Sequence, residues 1–328
     1  MILITGGAGF IGSNILAGLA GRGESELVIA DRLGREEKWR NLAHHEIADL
    51  IAPEAIADFV AANAKALEAI IHMGAVSATT ERDADLIVDS NLRLSLELWR
   101  LAARHGLRLI YASSAATYGD GGAGFEDDQT AAALARLRPL NPYAWSKHAF
   151  DRRVARLVEG DEARPPQWAG LKFFNVYGPN EYHKGEMQSL IAKAHGPVLA
   201  GEPVRLFKSH HPDYDDGGQL RDFVYVKDCV EVVLWLLDNP DKSGLYNVGT
   251  GQARSWLDFA TALFTALGRA PNIEFVDMPE ALRQRYQYRT EASTAKLRAA
   301  GFGRPFTTLE DGVNDYVTSY LGRPDPYR

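Results

Sequence analysis

The sequence is poor in cysteine, in excess positive charge and in long apolar runs. Its 328 residues contain one cysteine, Cys229, so no internal disulfide is possible, and its apolar neighbours favour a buried core thiol. The net charge is −7 with acids and bases mixed along the chain, which predicts neither nucleic acid nor an anionic membrane as a partner. The chain begins on an apolar strand at residues 1–4, without a basic leader or an apolar run of about 20 residues, so we expect a cytoplasmic protein.

A metal site is not predicted either. The histidines include two adjacent pairs, His44-His45 and His210-His211, but no carboxylate or cysteine at ligand spacing accompanies them. Hydrophobic residues make up 46% of the chain, which is enough to fill a large core. The length fits one large domain or two interlocked ones.

The first half of the chain alternates short β-branched runs with longer helical patterns. Strands are predicted over residues 1–5, 26–30, 45–47, 69–72, 107–112 and 171–174. Helices are predicted from about residue 10, over 53–64 and 83–105, and from residue 142. This alternation indicates βαβ units, so we expect an α/β fold with a Rossmann-type doubly wound parallel sheet.

The alternation stops after the strand at 171–174. Residues 177–219 are richer in Gly, Pro, His and Asp, and 209–218 form a polar loop. Helix and strand patterns resume at 222–226, 230–237, 245–248 and 257–267. We expect a Rossmann domain over 1–175 with returning segments near 220–250, and a smaller α+β domain over 176–219 and 251–328.

A glycine motif lies where the first strand passes into the first helix. Residues 6–12, Gly-Gly-Ala-Gly-Phe-Ile-Gly, fit both G-x-G-x-x-G and G-x-x-G-x-x-G. Glycines permit a tight turn close to a pyrophosphate, and the start of the helix offers unpaired N–H groups. Asp31 ends the second strand about 20 residues later, where a carboxylate meets an adenosine ribose. The expected cofactor-binding residues here are Gly6, Gly9, Phe10, Ile11, Gly12 and Asp31.

The residues after the second strand bear on which nicotinamide cofactor is bound. Asp31 alone favours NAD, because a carboxylate repels a 2′-phosphate. A short polar loop follows, with side chains that can donate charge-assisted hydrogen bonds to that phosphate: Arg32, Arg35, Lys38 and Arg40. Together they favour NADP, with NAD as the alternative, and we expect Arg32 and Lys38 to contact the cofactor.

A predicted helix carries Tyr143 and Lys147, whose i and i+4 positions share one helix face. A phenol has an unperturbed pKa of about 10, so acting as a base near neutral pH requires stabilising its anion by roughly 3–4 kcal/mol. A neighbouring ammonium supplies part of that stabilisation. The strand at 107–112 ends in hydroxyl residues, Ser113-Ser114 among them, at the edge where open α/β sheets bind ligands.

Taken together, these motifs resemble the extended short-chain dehydrogenase/reductase superfamily over nearly the whole chain. The resemblance implies that Tyr143 is the catalytic acid/base, that Lys147 holds the nicotinamide ribose and lowers the pKa of that phenol, and that Ser114 hydrogen-bonds the reacting oxygen. It also implies further cofactor contacts from Met73, Gly74, Ala75, Val76, Ser77, Asn91 and Val176. Residues 115–116 are Ala-Ala where dehydratases of the superfamily carry Asp-Glu, so dehydration is not expected.

The segment at residues 174–187, which contains His183-Lys184-Gly185, is similar to the ADP-L-glycero-D-manno-heptose 6-epimerases, a family within this superfamily. Residues 77–81, 113–119, 221–226 and 285–287 are similar as well. The resemblance implies that Lys184 is a second acid/base that also contacts the cofactor. It implies substrate contacts from Ser77, Asn175, Glu186, Lys193, Phe207, Arg221 and Tyr286.

The resemblance implies NADP-mediated removal of hydride from C6″ of ADP-heptose and its return to the opposite face, for lipopolysaccharide heptose synthesis. The two epimers present their hydroxyl protons on different sides, so a second acid/base has a chemical purpose. In this reading Tyr143 and Lys184 serve opposite faces of the same carbon. The resemblance also implies a homo-oligomer, a pentamer in better-known members.

Some features depart from that family, and alternatives stay open. Glu186 replaces a small hydroxyl residue, Pro53 replaces a cofactor-contacting lysine, and residues 208–220 look longer. For His183 a structural role in the loop stands beside a catalytic one, and for Lys193 a solvated helix face stands beside substrate contact. The alternative functions are another nucleotide-sugar epimerase, of the UDP-hexose 4-epimerase type with NAD, and a non-enzymatic NADP-binding sensor.

Overall fold

The β-branched runs of the first half form the centre of the protein. Its computed structural model describes residues 1–283 and 286–328. In chain order the strands are β1 (Ile2–Thr5), β2 (Leu27–Ala30), β3 (Asp49–Ile51), β4 (Ala69–His72), β5 (Arg108–Ser114), β6 (Trp168–Phe173), β7 (Asn175–Tyr177), β8 (Val204–Phe207), β9 (Leu220–Arg221), β10 (Phe223–Tyr225), β11 (Gly244–Val248), β12 (Arg254–Ser255) and β13 (Ile273–Val276). Seven of them form one sheet in the order β11-β6-β5-β4-β1-β2-β3, and every neighbouring pair is parallel. This sheet confirms the predicted Rossmann-type fold.

Helices connect these strands. In chain order they are α1 (Phe10–Gly21), α2 (Ile56–Asn63), α3 (Ala84–Ile87), α4 (Leu94–His105), α5 (Ala131–Leu134), α6 (Pro142–Glu159), α7 (Leu190–Leu199), α8 (Val226–Asp238), α9 (Trp256–Ala266), α10 (Glu280–Arg283), α11 (Ala295–Ala299) and α12 (Leu309–Tyr316). A π-helical segment, Val88–Arg93, joins α3 to α4. The helix predicted over 83–105 is therefore continuous but not uniformly α-helical.

Apolar side chains cover both faces of the central sheet, as expected where successive side chains alternate between the faces. On one face Leu3 belongs to a core cluster with residues of α2, α4 and α6. On the other face Ile4 belongs to a cluster with residues of α1 and α8. Cys229 is fully buried in this second cluster, which confirms the prediction of a core thiol.

The remaining strands form three two-stranded pairs beside the sheet. β7 pairs with β10 and β8 with β13 in parallel, whereas β9 pairs with β12 in antiparallel fashion. A third core cluster unites the β7–β10 and β8–β13 pairs with residues of α7, α9 and α12. β7 directly follows β6 in the chain, so the β7–β10 pair lies at the carboxyl end of the central sheet.

The position of one predicted strand was wrong. Residues 45–47 lie in a bend and an extended segment, and the strand is β3 at Asp49–Ile51. This edge strand is largely exposed, so it carries little apolar patterning from which its position could be read. The pattern at 222–226 corresponds to β10 and the first residue of α8. No helix in the described part of the chain is long and apolar enough to cross a bilayer.

Candidate active site

A cleft of about 740 Å³ opens at the carboxyl ends of the central strands. Parallel sheets bind ligands at this edge. Among the residues expected from the sequence, its lining includes Gly6, Gly9, Phe10, Ile11, Gly12, Asp31, Lys38, Met73, Gly74, Ala75, Val76, Ser77, Ser114, Tyr143, Lys147, Asn175, Val176, Lys184 and Lys193. The structure therefore brings the glycine motif, the Tyr/Lys helix and the Lys184 segment to one site.

The glycine motif forms the tight passage from β1 to α1. Gly6 has a φ of +65°, and a Cβ there would lie 2.5 Å from the main-chain nitrogen of Gly74. A Cβ on Gly12 would lie 2.1 Å from the carbonyl oxygen of Gly6. Neither position accepts a side chain without moving the backbone, so this loop requires glycine.

The same loop fits the pyrophosphate of a dinucleotide cofactor. Among the described residues, no side chain caps the start of α1, and its first turn contains no acidic residue. A Cβ on Gly9 would have only the carbonyl group of Gly6 within 4 Å, so this glycine faces open space. The uncapped N–H groups and the positive end of the helix dipole suit an anion in that space.

Asp31 lies where a cofactor ribose is expected, and it is partly neutralised. Its carboxylate accepts hydrogen bonds from the main-chain nitrogen of Ala8 at 2.9 Å and from the Lys38 ammonium at 2.6 Å. Arg32 does not line the cleft, and its guanidinium pairs with the Glu54 carboxylate. Of the two basic residues expected at the cofactor, the structure therefore places Lys38 in the cleft and Arg32 outside it.

Tyr143 and Lys147 enter the cleft from the start of α6. The Asn141 side chain caps this helix by accepting from the main-chain nitrogen of Ala144 at 2.8 Å. Burial raises the pKa of the Tyr143 phenol, and its hydrogen bond with Ser114 opposes that shift. Lys147 donates to the carbonyl oxygen of Ala112 at 2.9 Å, and burial lowers the pKa of its ammonium to about 8. The contact with Ser114 favours the phenolate less than burial disfavours it, and the effect of Lys147 on the phenol stays a prediction.

Next to Ser114 and α6 the structure has a buried ion pair that was not predicted from the sequence. The Lys172 ammonium lies 2.8 Å from Asp151 Oδ2, and neither side chain is exposed. Ser113 donates to the same carboxylate oxygen at 2.6 Å, and Lys172 donates to Thr117 Oγ1 at 2.7 Å. The Thr117 hydroxyl in turn donates to the carbonyl oxygen of Ser114. A lysine inside an apolar strand was the available sequence signal, since a buried ammonium needs a partner.

Lys184 enters the cleft from a separate segment, the short 3-10 helix Tyr182–Met187 that follows β7. Gly185 has a φ of +51°, which lets the chain turn directly after the lysine. Burial lowers the pKa of the Lys184 ammonium, and the nearby Glu181 carboxylate raises it. Glu181 is itself fully buried, and its carboxylate accepts hydrogen bonds from the main-chain nitrogen and the hydroxyl of Ser189.

His183 lies in the cleft lining beside Lys184. Its Nδ1 is 3.2 Å from the side-chain nitrogen of Asn41. Burial, with smaller contributions from Lys38 and Lys184, lowers the pKa of the His183 imidazole to about 4. The neutral ring and its asparagine contact favour the structural role over the catalytic one.

Asn91 does not line the cleft, although a cofactor contact was expected. It is fully buried, and its side-chain amide bonds both the main-chain nitrogen of Val76 at 2.8 Å and the Val76 carbonyl oxygen at 3.0 Å. It also donates to the Ser146 hydroxyl on α6. Asn91 therefore holds the loop after β4 in place, and this loop carries the lining residue Val76.

Four of the expected substrate residues also lie outside the cleft lining. Glu186 is exposed, and its carbonyl oxygen accepts from Lys193. The Arg221 guanidinium lies 5.1 Å from the centre of the Tyr286 ring, and Phe207 packs edge-on against that ring. Arg221 lies on β9, which pairs with β12. Trp256 follows β12 directly and lines the cleft, so this group lies beside the cleft. Arg285, in the motif at 285–287, lies outside the described residues.

Other lining residues carry no recognisable motif: Gln188, Ser189, Leu190 and Trp256. They reach the cleft from the start of α7 and from the start of α9. Within residues 1–283 and 286–328, no group of three or more His, Cys, Asp or Glu side chains is placed to hold a metal ion.

The fold and the cleft define a Rossmann-fold enzyme of the short-chain dehydrogenase/reductase type. A glycine turn, a ribose-binding carboxylate and a Ser/Tyr/Lys set converge on one cleft in such enzymes, as they do here. The chain belongs to the NAD dependent epimerase/dehydratase family, whose sequence profile matches residues 2–249. It is therefore an enzyme that uses a nicotinamide cofactor.

Several relatives share their whole length with this chain. A protein of Nitratidesulfovibrio vulgaris, named ADP-L-glycero-D-manno-heptose-6-epimerase, is 52% identical over 329 positions, with 100% of both chains covered. A protein of Fusobacterium nucleatum with the same name is 44% identical over 335 positions, again with 100% of both chains covered. These relatives confirm the resemblance noted from residues 174–187.

Two solved structures are similar throughout. The ADP-L-glycero-D-manno-heptose-6-epimerase of Helicobacter pylori superimposes with a TM-score of 0.79 at 29% identity, covering 97% of this chain and 95% of that one. The UDP-glucose 4-epimerase of Thermus thermophilus, solved with NAD, superimposes with a TM-score of 0.75 at 30% identity, covering 96% and 97%. Both neighbours are epimerases.

Proposed function

We propose that this enzyme interconverts ADP-D-glycero-β-D-manno-heptose and ADP-L-glycero-β-D-manno-heptose at C6″, in heptose synthesis for the lipopolysaccharide core. The observation that carries the proposal is the presence of two acid/base candidates in one cleft, on separate segments. Tyr143 enters from α6, and Lys184 enters from the segment after β7. An enzyme that inverts a carbinol carbon needs a proton acceptor for each of the two epimers.

The side of the cleft that carries Tyr143 suits the first half of the reaction, the oxidation of the alcohol. A nicotinamide cofactor, when bound, takes up the hydride of the alcohol carbon and later returns it. Ser114 and Tyr143 both line the cleft, so a substrate hydroxyl bound between them can contact both groups. The step requires Tyr143 as its phenolate, whose oxygen takes the hydroxyl proton as the carbonyl forms, and the positive charge of Lys147, one turn along α6, would stabilise that anion before the transfer.

Lys184 suits the second half of the reaction, the reduction of the carbonyl. The carbonyl must turn its other face toward the returning hydride, which moves its oxygen away from Tyr143. In that orientation the Lys184 ammonium donates the proton that converts the new alkoxide into the epimeric alcohol. Burial lowers the pKa of this ammonium, so it gives up its proton more readily than the ammonium of a solvated lysine does. Tyr143 has then gained a proton and Lys184 has lost one, and exchange with solvent restores both.

The cofactor is proposed to be NADP. The Lys38 ammonium lies in the cleft and neutralises Asp31, which removes the repulsion that a lone carboxylate exerts on a 2′-phosphate. The group formed by Arg221, Tyr286 and Phe207 beside the cleft is proposed to hold the substrate's diphosphate and nucleotide. We also propose that the enzyme acts in the cytoplasm as a homo-oligomer.

The test is incubation of the purified protein with ADP-D-glycero-β-D-manno-heptose and NADP, while NMR follows the configuration at C6″. We expect an equilibrium mixture of the two epimers. A parallel incubation with UDP-glucose and NAD tests the 4-epimerase activity of the Thermus thermophilus neighbour. Conversion of UDP-glucose alone, or of neither nucleotide sugar by protein that has bound its cofactor, would contradict the proposal.

A further inference from the structure

We propose that residues 325–328 are a positioning element of the active site, which holds the Lys184 segment against the cofactor-binding helix α1. Lys184 sits in a short 3-10 helix after a left-handed turn, with exposed glycine directly behind it. Such a segment has little regular structure of its own to fix its position. The inference rests on the proposed role of Lys184.

Residues 325–328 bind the Lys184 segment directly. The main-chain nitrogen of Arg328 donates to Asn180 Oδ1 at 2.9 Å, and the Asn180 side-chain nitrogen donates back to the main-chain oxygen of Arg328 at 3.4 Å. The Tyr182 hydroxyl donates to the carbonyl oxygen of Pro326 at 2.9 Å, and the Tyr327 ring packs edge-on against the Tyr182 ring at 5.2 Å. Both Asn180 and Tyr182 lie within four residues of Lys184.

Arg328 also binds α1. Its guanidinium donates to Asn14 Oδ1 at 3.0 Å. The Asn14 side-chain nitrogen donates to the carbonyl oxygens of Phe10 and Pro179, both at 2.9 Å. One arginine is therefore connected through Asn14 to the first turn of the cofactor helix and to the turn that leads to Lys184.

The turn that these contacts hold is left-handed and closely packed. Asn180 is fully buried with a φ of +72°, a conformation that non-glycine residues rarely adopt. Its side chain also donates to the Ser13 hydroxyl at 3.0 Å, and its carbonyl oxygen accepts from Asn41. Asn41 donates to the carbonyl oxygen of Ala8 in the glycine loop as well. Because buried polar groups must be paired, loss of one partner loosens the whole network.

Further contacts fix residues 325–328 to the polar segment after β2. Asp325 pairs with His44 Nε2 at 3.0 Å, and the Arg40 guanidinium lies 4.5 Å from the centre of the Tyr327 ring. His45 Nε2 lies 3.3 Å from the main-chain oxygen of Arg328. None of residues 325–328 lines the cleft, so they act on Lys184 through the turn at Asn180 and not by touching substrate.

The test compares Arg328→Ala with the matched control Arg323→Ala, where the arginine side chain bonds only the Thr318 carbonyl oxygen among the described residues. We expect Arg328→Ala to lower kcat at least tenfold, up to about a hundredfold, because small misplacement of a catalytic group has effects of that size. KM, NADP affinity and melting temperature should match those of the control. Arg328→Lys should recover part of the loss, because its ammonium can still reach Asn14.

Hydrogen–deuterium exchange supplies a second measurement that needs no turnover. In Arg328→Ala, exchange should rise over residues 180–187 and stay unchanged in the central sheet. An unchanged exchange rate there, or a kcat equal to that of the control, would overturn the inference. So would a loss of kcat that is matched by a loss of melting temperature or cofactor binding. If the unmodified enzyme epimerises no nucleotide sugar, the proposed function fails, and the exchange measurement alone decides whether residues 325–328 hold the turn.

Discussion

The ammonium nitrogen of Lys184 lies 5.0 Å from the centre of the Phe10 ring. Phe10 is the first residue of α1, so the lysine faces the helix end that suits the cofactor pyrophosphate. The ring stabilises the charged lysine, whereas burial favours the neutral form, and the pKa of Lys184 is lowered on balance. This relationship ties the proposed second acid/base to the cofactor site itself.

Replacing this lysine should stop epimerisation without disturbing the cofactor. For Lys184→Met we expect kcat to fall by about 10²- to 10⁴-fold, the range over which general acid–base catalysis contributes. NADP affinity, measured by fluorescence titration, should change little because methionine keeps the apolar stem against Phe10. Lys65→Met, at an exposed position, is the control. Near-normal turnover of Lys184→Met would rule out the two-base scheme.

The pH dependence of the reaction should respond to Glu181. Its carboxylate raises the pKa of Lys184, opposing burial. In Glu181→Gln that opposition is lost, so the pKa of Lys184 falls further and the lysine loses its proton at lower pH. The limb of the pH–rate profile that reports Lys184 should therefore move to lower pH, while Glu202→Gln, an exposed control, leaves it in place. A shift toward higher pH would contradict this account.

The choice between NADP and NAD should depend on Lys38. Without its ammonium, the Asp31 carboxylate is no longer neutralised and repels a 2′-phosphate. We expect Lys38→Ala to weaken NADP binding by about tenfold or more, the equivalent of one hydrogen bond to a charged group, and to affect NAD much less. Arg35→Ala should change neither affinity, because Arg35 is exposed and outside the cleft lining. Equal losses for both cofactors would argue against a 2′-phosphate contact.

The buried pair of Lys172 and Asp151 should be costly to break. Lys172→Met leaves the Asp151 carboxylate buried without its counter-charge, and such changes lower the free energy of unfolding by about 3–5 kcal/mol. The double variant Lys172→Met/Asp151→Asn should lose less than the single one, because it removes the buried charge as well. Urea denaturation measures both. A double variant less stable than Lys172→Met would show that the charge itself is not the cost.

Sequence reasoning succeeded where the chemistry is local. The glycines at 6, 9 and 12 share one turn, and Tyr143 and Lys147 share one helix face, so their spacing alone brings each set together. The alternation of strands and helices was enough to predict the parallel sheet. Lys184 was found only through resemblance, since nothing in its spacing from Tyr143 indicates that both reach the same cleft.

Pairings between distant residues escaped prediction. Arg32 was expected at the cofactor, but Glu54, 22 residues further on, pairs with its guanidinium. Arg328 is 148 residues from Asn180 and 314 from Asn14, and no periodicity connects such positions. Lys172 and Asp151 are 21 residues apart on different elements, so their contact depends on how α6 packs against the sheet. Local spacing carries no information on these contacts.

The parallel pairing of β7 with β10 has a consequence for the order in which the enzyme can assemble during synthesis. Residues 175–177 carry Asn175 and Val176 in the cleft, and their strand partner is residues 223–225. The ribosome must therefore extrude about fifty further residues before this wall has a hydrogen-bonding partner. Strands β1 to β6 have left the ribosome by then, whereas α8, which covers one face of the sheet, and β11, its seventh strand, follow β10, so the substrate wall and the cover of the nucleotide-binding sheet form late and together.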